Sequence, residues 1–268
     1  MAESEEGAQL RAGAAAAHPY YVQQRHSWDC GLACAQMVLR RLGLWRAGFT
    51  ERTLCALVES PSRSVWTVDI ALMLQALGVE ALVLHTLLAG VDPAHAARAY
   101  YASALTGPAS EAPRIAAAFA AARQRGIAVR VPSALPSAYL LQRLRQQTHC
   151  FVVLVDMRLL RCEACGPEHS ARELAGLSRP QEYNGHYVLL TGVEEGAAGG
   201  GCVVRYLDPS PLGAAAGCSM SAACLDAARQ APGTDEDVIE IALPGAAGEA
   251  PGGGAGVASP PPAGEGLN

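Results

Sequence analysis

No lysine occurs in this sequence: all 20 of its Lys and Arg positions are arginine. That excludes a Walker-type P-loop, Schiff-base chemistry and pyridoxal-phosphate dependence, each of which needs a lysine amine. Genomic base composition accounts for the absence, since Ala, Gly, Arg and Pro are abundant, and the chemical exclusion holds regardless. Half of the residues are hydrophobic, yet no apolar run is long enough to span a bilayer. The opening Met1-Ala2-Glu3-Ser4-Glu5-Glu6 lacks the basic head and apolar core of a signal peptide. A cytoplasmic or nuclear protein with no membrane partner is therefore expected, in a compartment that keeps thiols reduced. Nine cysteines, an odd number at irregular spacing, argue against a disulfide framework. The net charge of −5 argues against a nucleic-acid partner.

What is present reads as one domain between two tails. Residues 1–18 are Ala-rich and acidic without periodicity, and residues 244–268 are Gly, Pro and Ala; both are expected to be disordered. Residues 19–243 form a single expected domain. Helices are predicted from Cys30 to a stop at Gly43, over Glu51–Val58, over Thr67–Leu77, over Arg114–Arg125, over Ser137–Gln146 and over Ser219–Gln230. Thr67 is expected to cap its helix, with Asp69 in the first turn. Strands are predicted over Glu80–Thr86, Ile127–Val131, His149–Asp156 and Asp237–Leu243, and as a hairpin of Gly185–Val193 with Cys202–Leu207. Asp92–Ala104 is ambiguous. Residues 157–183 break the pattern and read as an insertion loop. Helices come first and strands later, without βαβ alternation, so the expected class is α+β.

The chain is organised around Gln24-Arg25-His26-Ser27-Trp28-Asp29-Cys30-Gly31-Leu32-Ala33-Cys34. A cysteine in the first turn of a helix sits where free N–H groups and the helix dipole favour a thiolate. Gln24, six residues upstream, can fold back and share an oxyanion hole with the Cys30 N–H. His186 opens the first strand of the predicted hairpin and Asp208 closes the second, so antiparallel pairing brings them together. The carboxylate then orients the imidazole towards a thiol. Cys30 as nucleophile, His186 as base and later acid, Asp208 as orienter and Gln24 in the oxyanion hole make up a papain-like thiol-hydrolase site. The expected architecture is a papain-like cysteine peptidase fold, with N-terminal helices carrying Cys30 and an antiparallel sheet carrying His186 and Asp208. Trp28, Asp29, Gly31 and Gly185 flank these residues and are the substrate-binding candidates, with Trp66 as a cleft wall. Cys162-Glu163-Ala164-Cys165 has the spacing of half a zinc site, which His169, Cys150 or His149 would complete.

Gln24 through Cys34, Gly185-His186 through Gly192 and Asp208-Pro209 resemble the cysteine peptidase domain of bacteriocin-processing ABC transporters. Three motifs widen the likeness. His26 through Cys34, Arg63-Ser64-Val65-Trp66-Thr67-Val68-Asp69 and Gly233-Thr234-Asp235-Glu236-Asp237 resemble the guanylyl cyclase domain-containing family of plants, algae and animals, over about residues 20–243. That resemblance implies a soluble guanylyl cyclase that makes cyclic GMP from GTP, which would need Mg or Mn held by acidic residues. The candidates are Asp69 and the Asp235-Glu236-Asp237 cluster. Three readings follow: a thiol hydrolase with a peptide or protein substrate and no cofactor, a cyclase acting on GTP, and a non-catalytic binding protein on the same fold.

Overall fold

A computed structural model describes residues 16–58, 64–97, 99–105, 110–165, 182–195, 201–211 and 213–245. Most of the two expected tails, residues 166–181 of the expected insertion, and Arg63 lie outside them. The chain is already anchored at His18, whose N–H donates to the Ala215 carbonyl at 2.7 Å, so the expected N-terminal tail ends sooner than residue 18.

Helix α1 is Cys30–Arg41 and α2 is Glu51–Cys55. Helix α3 is Thr67–Ala76. Gly43 and Gly78 sit at φ +70° and +97° just beyond α1 and α3, the left-handed geometry that ends helices. Thr67 is not the cap of α3. The Asp69 carboxylate accepts the Trp66 N–H at 3.0 Å instead, which frees the Thr67 hydroxyl for tertiary contacts. Strand β1, Leu82–His85, is followed by a 3-10 turn at Pro93–Ala97, α4 at Ala99–Leu105 and α5 at Ala112–Gln124. The ambiguous stretch after Asp92 is thus helical in two pieces. Next come β2 (Ala128–Arg130), α6 (Ser137–Arg145) and β3 (His149–Asp156). Strands β4 (Gly185–Glu195) and β5 (Cys202–Leu207) form the expected antiparallel pair.

The predicted helix Ser219–Gln230 divides. Its first residues form strand β6, Cys218–Ser221, paired antiparallel with β5, and α7 runs only over Ala222–Arg229. Cys218 and Met220 alternate with Ser219 and Ser221, and both apolar side chains enter the core. The Ser221 hydroxyl accepts the Cys224 N–H and starts the helix. Strand β7, Val238–Ala242, closes the series.

The seven strands lie in the order β2-β1-β7-β3-β4-β5-β6. Contrary to the expectation of an antiparallel sheet, β1 and β2 are parallel, joined by a crossover that contains α4 and α5. The fold is therefore α+β with a mixed sheet. Cys150, Val152 and Leu154 of β3 face one core with α1, α3 and α5, whereas Phe151, Val153 and Val155 face another with α6 and α7. Burial on both faces explains why β3 reads as an unbroken apolar run.

Gly31 decides how closely α1 approaches its neighbours. A Cβ there would sit 2.7 Å from Ile70 Cδ1 and 3.2 Å from Tyr187 Cδ2. Ile70 is fully buried, so its side chain would have to repack within the core to admit one. Gly31→Ala is expected to destabilise the fold by about 1–3 kcal/mol through overpacking, read as a lower urea midpoint at unchanged slope; an unchanged midpoint would refute the close approach.

Candidate active site

Cys30 is the first residue of α1. The loop before it is folded by Asp29, whose buried carboxylate accepts the Arg25 N–H at 3.1 Å and the His26 N–H at 3.0 Å. Asp29 therefore shapes the loop that leads into the thiol. The Gln24 N–H donates to the Pro209 carbonyl at 2.8 Å, and the Tyr21 hydroxyl reaches the Gly213 carbonyl at 3.5 Å. Residues 18–24 thus run along the loop that follows Asp208. A Cβ on Gly213 would overlap the Asp208 carbonyl, so that loop folds tightly back on the carboxylate's own residue.

His186 lies one residue into β4, opposite Val155 of β3. Its Nε2 is 2.8 Å from Asp208 Oδ1. The Cys30 thiol lies near enough to the His186 ring to influence its charge, and with Nε2 taken by Asp208, Nδ1 is the nitrogen left to meet the thiol. Exposure rises from 1 % at Asp208 through 4 % at His186 to 8 % at Cys30, so the thiol is the member nearest solvent. Asp208 Oδ1 also accepts the Ser210 N–H at 2.8 Å, an Asx turn that holds the carboxylate in place. Sequence reasoning passed over Ser210, although an Asp followed two residues later by a Ser leaving a strand is an Asx-turn signal.

The charges hold each other. Burial works against an imidazolium, but the Asp208 charge and hydrogen bond, with the Cys30 contact, outweigh it and hold His186 well above the ordinary histidine range. Burial likewise works against the Asp208 carboxylate, and His186 with Ser210 overcomes it and holds that carboxyl below its ordinary value.

The other expected residues divide by role. Gln24 donates its side-chain amide to the His26 carbonyl at 2.9 Å, which spends one of its two N–H bonds inside the loop, and its Oε1 is buried without a partner among the described residues. Trp28 is half-buried against the core and stacks on His26 with ring centres 5.6 Å apart. Gly31 serves helix packing, as described above. Gly185 pairs with Asp156, and the Asn184 N–H donates to the Asp156 carboxylate, so the head of β4 is pinned there. A cavity of about 690 Å³ opens beside the loop, lined by Gln24, Arg25, Asp29, Leu32 and Gln36 among others, and Cys30 is not part of its wall.

A second polar group, invisible in the sequence, lies behind the site. The Thr67 hydroxyl bonds both Asp237 and the Tyr187 hydroxyl. Burial pushes the Asp237 carboxyl up to about 7, and the Thr67 hydrogen bond opposes that rise. Trp66 stacks on Tyr101 with centres 5.4 Å apart, part of an aromatic cluster with His95 and Tyr183. Residues of four distant segments make this group, so no local pattern announced it. Asp69 is held by Arg114 through two contacts of 2.7 and 3.0 Å and is committed to that ion pair. Asp92, His95 and Asp235 converge closely enough to hold a cation. Asp235 and Glu236 both take φ near +50°, a costly geometry for residues other than glycine.

Cys162 and Cys165 lie together with Cys218, while His169 falls outside the described residues. Hydrogen bonds from Cys218 and then Cys165 lower the Cys162 thiol from its ordinary value. Neither alternative partner joins them: Cys150 is buried inside the other core, and His149 bonds Thr148.

The family described as guanylylate cyclase matches residues 20–241 of this chain. Guanylyl cyclase 1 of Arabidopsis thaliana is 31 % identical over 229 residues, covering 83 % of this chain and 75 % of that protein. No solved structure matches the chain.

The ion pair makes stability depend on pH. A carboxylate whose folded pKa is lowered contributes above its unfolded value of about 3.9 and stops contributing as pH falls through the folded value. A histidine whose folded pKa is raised contributes fully below about 6.5 and stops contributing as pH rises through the folded value. The pair therefore stabilises most between about pH 4 and 6.5. Asp208→Asn is expected to cost about 3–5 kcal/mol in that window, the cost of stranding one partner of a buried pair. Urea titrations of both proteins should show the deficit narrowing at alkaline pH. A deficit that stays constant across the range would mean the pair is not charged.

Proposed function

Because the chain belongs to the guanylylate cyclase family and its best-formed reactive geometry is a thiol, an imidazole and a carboxylate in series, we propose that it is a papain-like thiol hydrolase. Its substrate would be a peptide, isopeptide or other acyl bond in a peptide or protein, and the reaction needs no cofactor. The observation that carries this reading is the buried His186–Asp208 pair at 2.8 Å, with Cys30 at the head of α1 close enough to the ring to influence its charge. The His186 imidazolium, held charged by Asp208, already carries the proton given up by the thiol, and Cys30 Sγ attacks the carbonyl carbon as the thiolate. The imidazolium returns that proton to the leaving group as the carbon–heteroatom bond breaks, which leaves a thioester on Cys30. Water, deprotonated by the same imidazole, then releases the acid and restores the thiol. Asp208 holds the ring throughout, and Ser210 holds Asp208. The free N–H groups at the start of α1, with the remaining amide proton of Gln24, are the donors for the oxyanion. Trp28 on the loop is the substrate contact nearest the nucleophile in the chain.

One observation favours a second reading, conversion of GTP to cyclic GMP. The relative in Arabidopsis thaliana carries the name guanylyl cyclase, and Asp92, His95 and Asp235 would be the group that holds Mg or Mn. Against it, Asp69 is tied to Arg114 and Asp237 is buried among neutral hydroxyls. Asp69 is therefore not available to the paired-metal arrangement that pyrophosphate departure calls for.

A paired assay on wild type and Cys30→Ala separates the readings. One arm measures covalent labelling by an electrophilic acyl probe, and the other measures cyclic GMP from GTP with Mg or Mn. The expected result is labelling that falls by about 10³-fold or more in the variant, with no cyclic GMP from either protein. Cyclic GMP from both proteins, with labelling no faster at Cys30 than at the half-buried Cys55, would overturn the hydrolase.

A further inference from the structure

We infer that Cys162, Cys165 and Cys218 form a zinc site that fastens the chain leaving β3 to the edge strand β6. The three Sγ atoms all lie within 4.8 Å of one another. Zinc–sulfur bonds of about 2.3 Å place tetrahedral sulfurs about 3.8 Å apart, and Cys165 and Cys218 Sγ are 3.8 Å apart. No disulfide links them, since all nine cysteines are free. The cluster is already arranged as a ligand set. The Cys165 N–H donates to Cys162 Sγ at 3.2 Å, across the two residues of the Cys-x-x-Cys turn. A backbone N–H aimed at sulfur favours that sulfur as a thiolate, the form that binds metal. Cys218 pairs with Tyr206 of β5 across the strands, and both are buried, so its sulfur is held in place by the sheet. These contacts orient the sulfurs as outer-shell groups do in metal sites.

The backbone supports the same arrangement. The Glu163 N–H donates to the Ser219 carbonyl at 2.7 Å, so the turn and the strand are held in register without the metal. Three thiolates supply three of zinc's four corners, and the fourth donor comes from outside this trio. Soft sulfur ligands in this geometry select zinc over magnesium or calcium. Binding replaces the three thiol protons, so it releases protons and weakens at low pH. β6 is the outermost strand on its side of the sheet. The loop between Asp208 and Cys218 ends on the cluster, so the metal would brace the segment that carries the orienting carboxylate.

Elemental analysis of the full chain, purified under reductant with no added metal, is expected to find one zinc per chain. Cys162→Ser, Cys165→Ser and Cys218→Ser should each lose it, and Cys55→Ser should keep it. Because those variants can also unfold, cobalt(II) is titrated into the reduced, metal-free wild type. A thiolate-to-cobalt charge-transfer band saturating at one equivalent, and displaced by zinc, supports the site. Absence of zinc together with absence of that band overturns it, as does a Cys165–Cys218 disulfide in the freshly purified protein.

Discussion

Helix α1 and the head of β4 approach each other through Gly31, whose missing Cβ leaves room for Ile70 and Tyr187. The Cys34 thiol donates to the Tyr187 carbonyl at 3.4 Å one turn further along, so the helix is seated by packing and by a hydrogen bond. Cys30 begins that helix and His186 precedes Tyr187, so the same seating that fills the core sets the thiol against the imidazole. Any looser approach of α1 would separate the two groups before it emptied the core. Packing density and chemistry share one constraint here, because close-packed interiors transmit small displacements.

Burying a carboxylate and an imidazole together costs solvation, and the structure offsets it with mutual attraction and with hydrogen bonds to the oxygens. Asp208 has His186 and Ser210. Asp156, fully buried at the end of β3, has Arg158 and the Asn184 N–H, and it holds the strand that carries His186. Two of the acidic residues near the site are engaged elsewhere. Asp69 closes the start of α3 and binds Arg114, while Asp237 sits among the hydroxyls of Thr67 and Tyr187.

The sequence made much of the architecture legible. The helix after Cys30, the buried β3 and the β4–β5 pair follow from periodicity and turn residues, and the His186–Asp208 contact follows from antiparallel pairing. Misreadings occurred where local and tertiary preferences compete. Ser219–Gln230 carries good helix formers, yet its first residues extend because Cys218 and Met220 fill the core beside β5. Thr67 has the preference of a cap, but Asp69 takes that task and the hydroxyl turns inward. The spacing of Gln24 from Cys30 does not show that one amide N–H of Gln24 is engaged by the His26 carbonyl within its own loop.

By itself the sequence determined the element types, the exclusion of lysine-dependent chemistry and which cysteine begins a helix, because these depend on neighbours a few residues apart. Only the tertiary structure decided that β1 and β2 run parallel, that Cys218 joins Cys162 and Cys165, and that Thr67, Tyr187 and Asp237 share one hydrogen-bonded group. Each of those joins segments that are far apart in the chain. Such contacts are chosen by how two-faced strands and helices close around a common core, and no window of sequence carries that information.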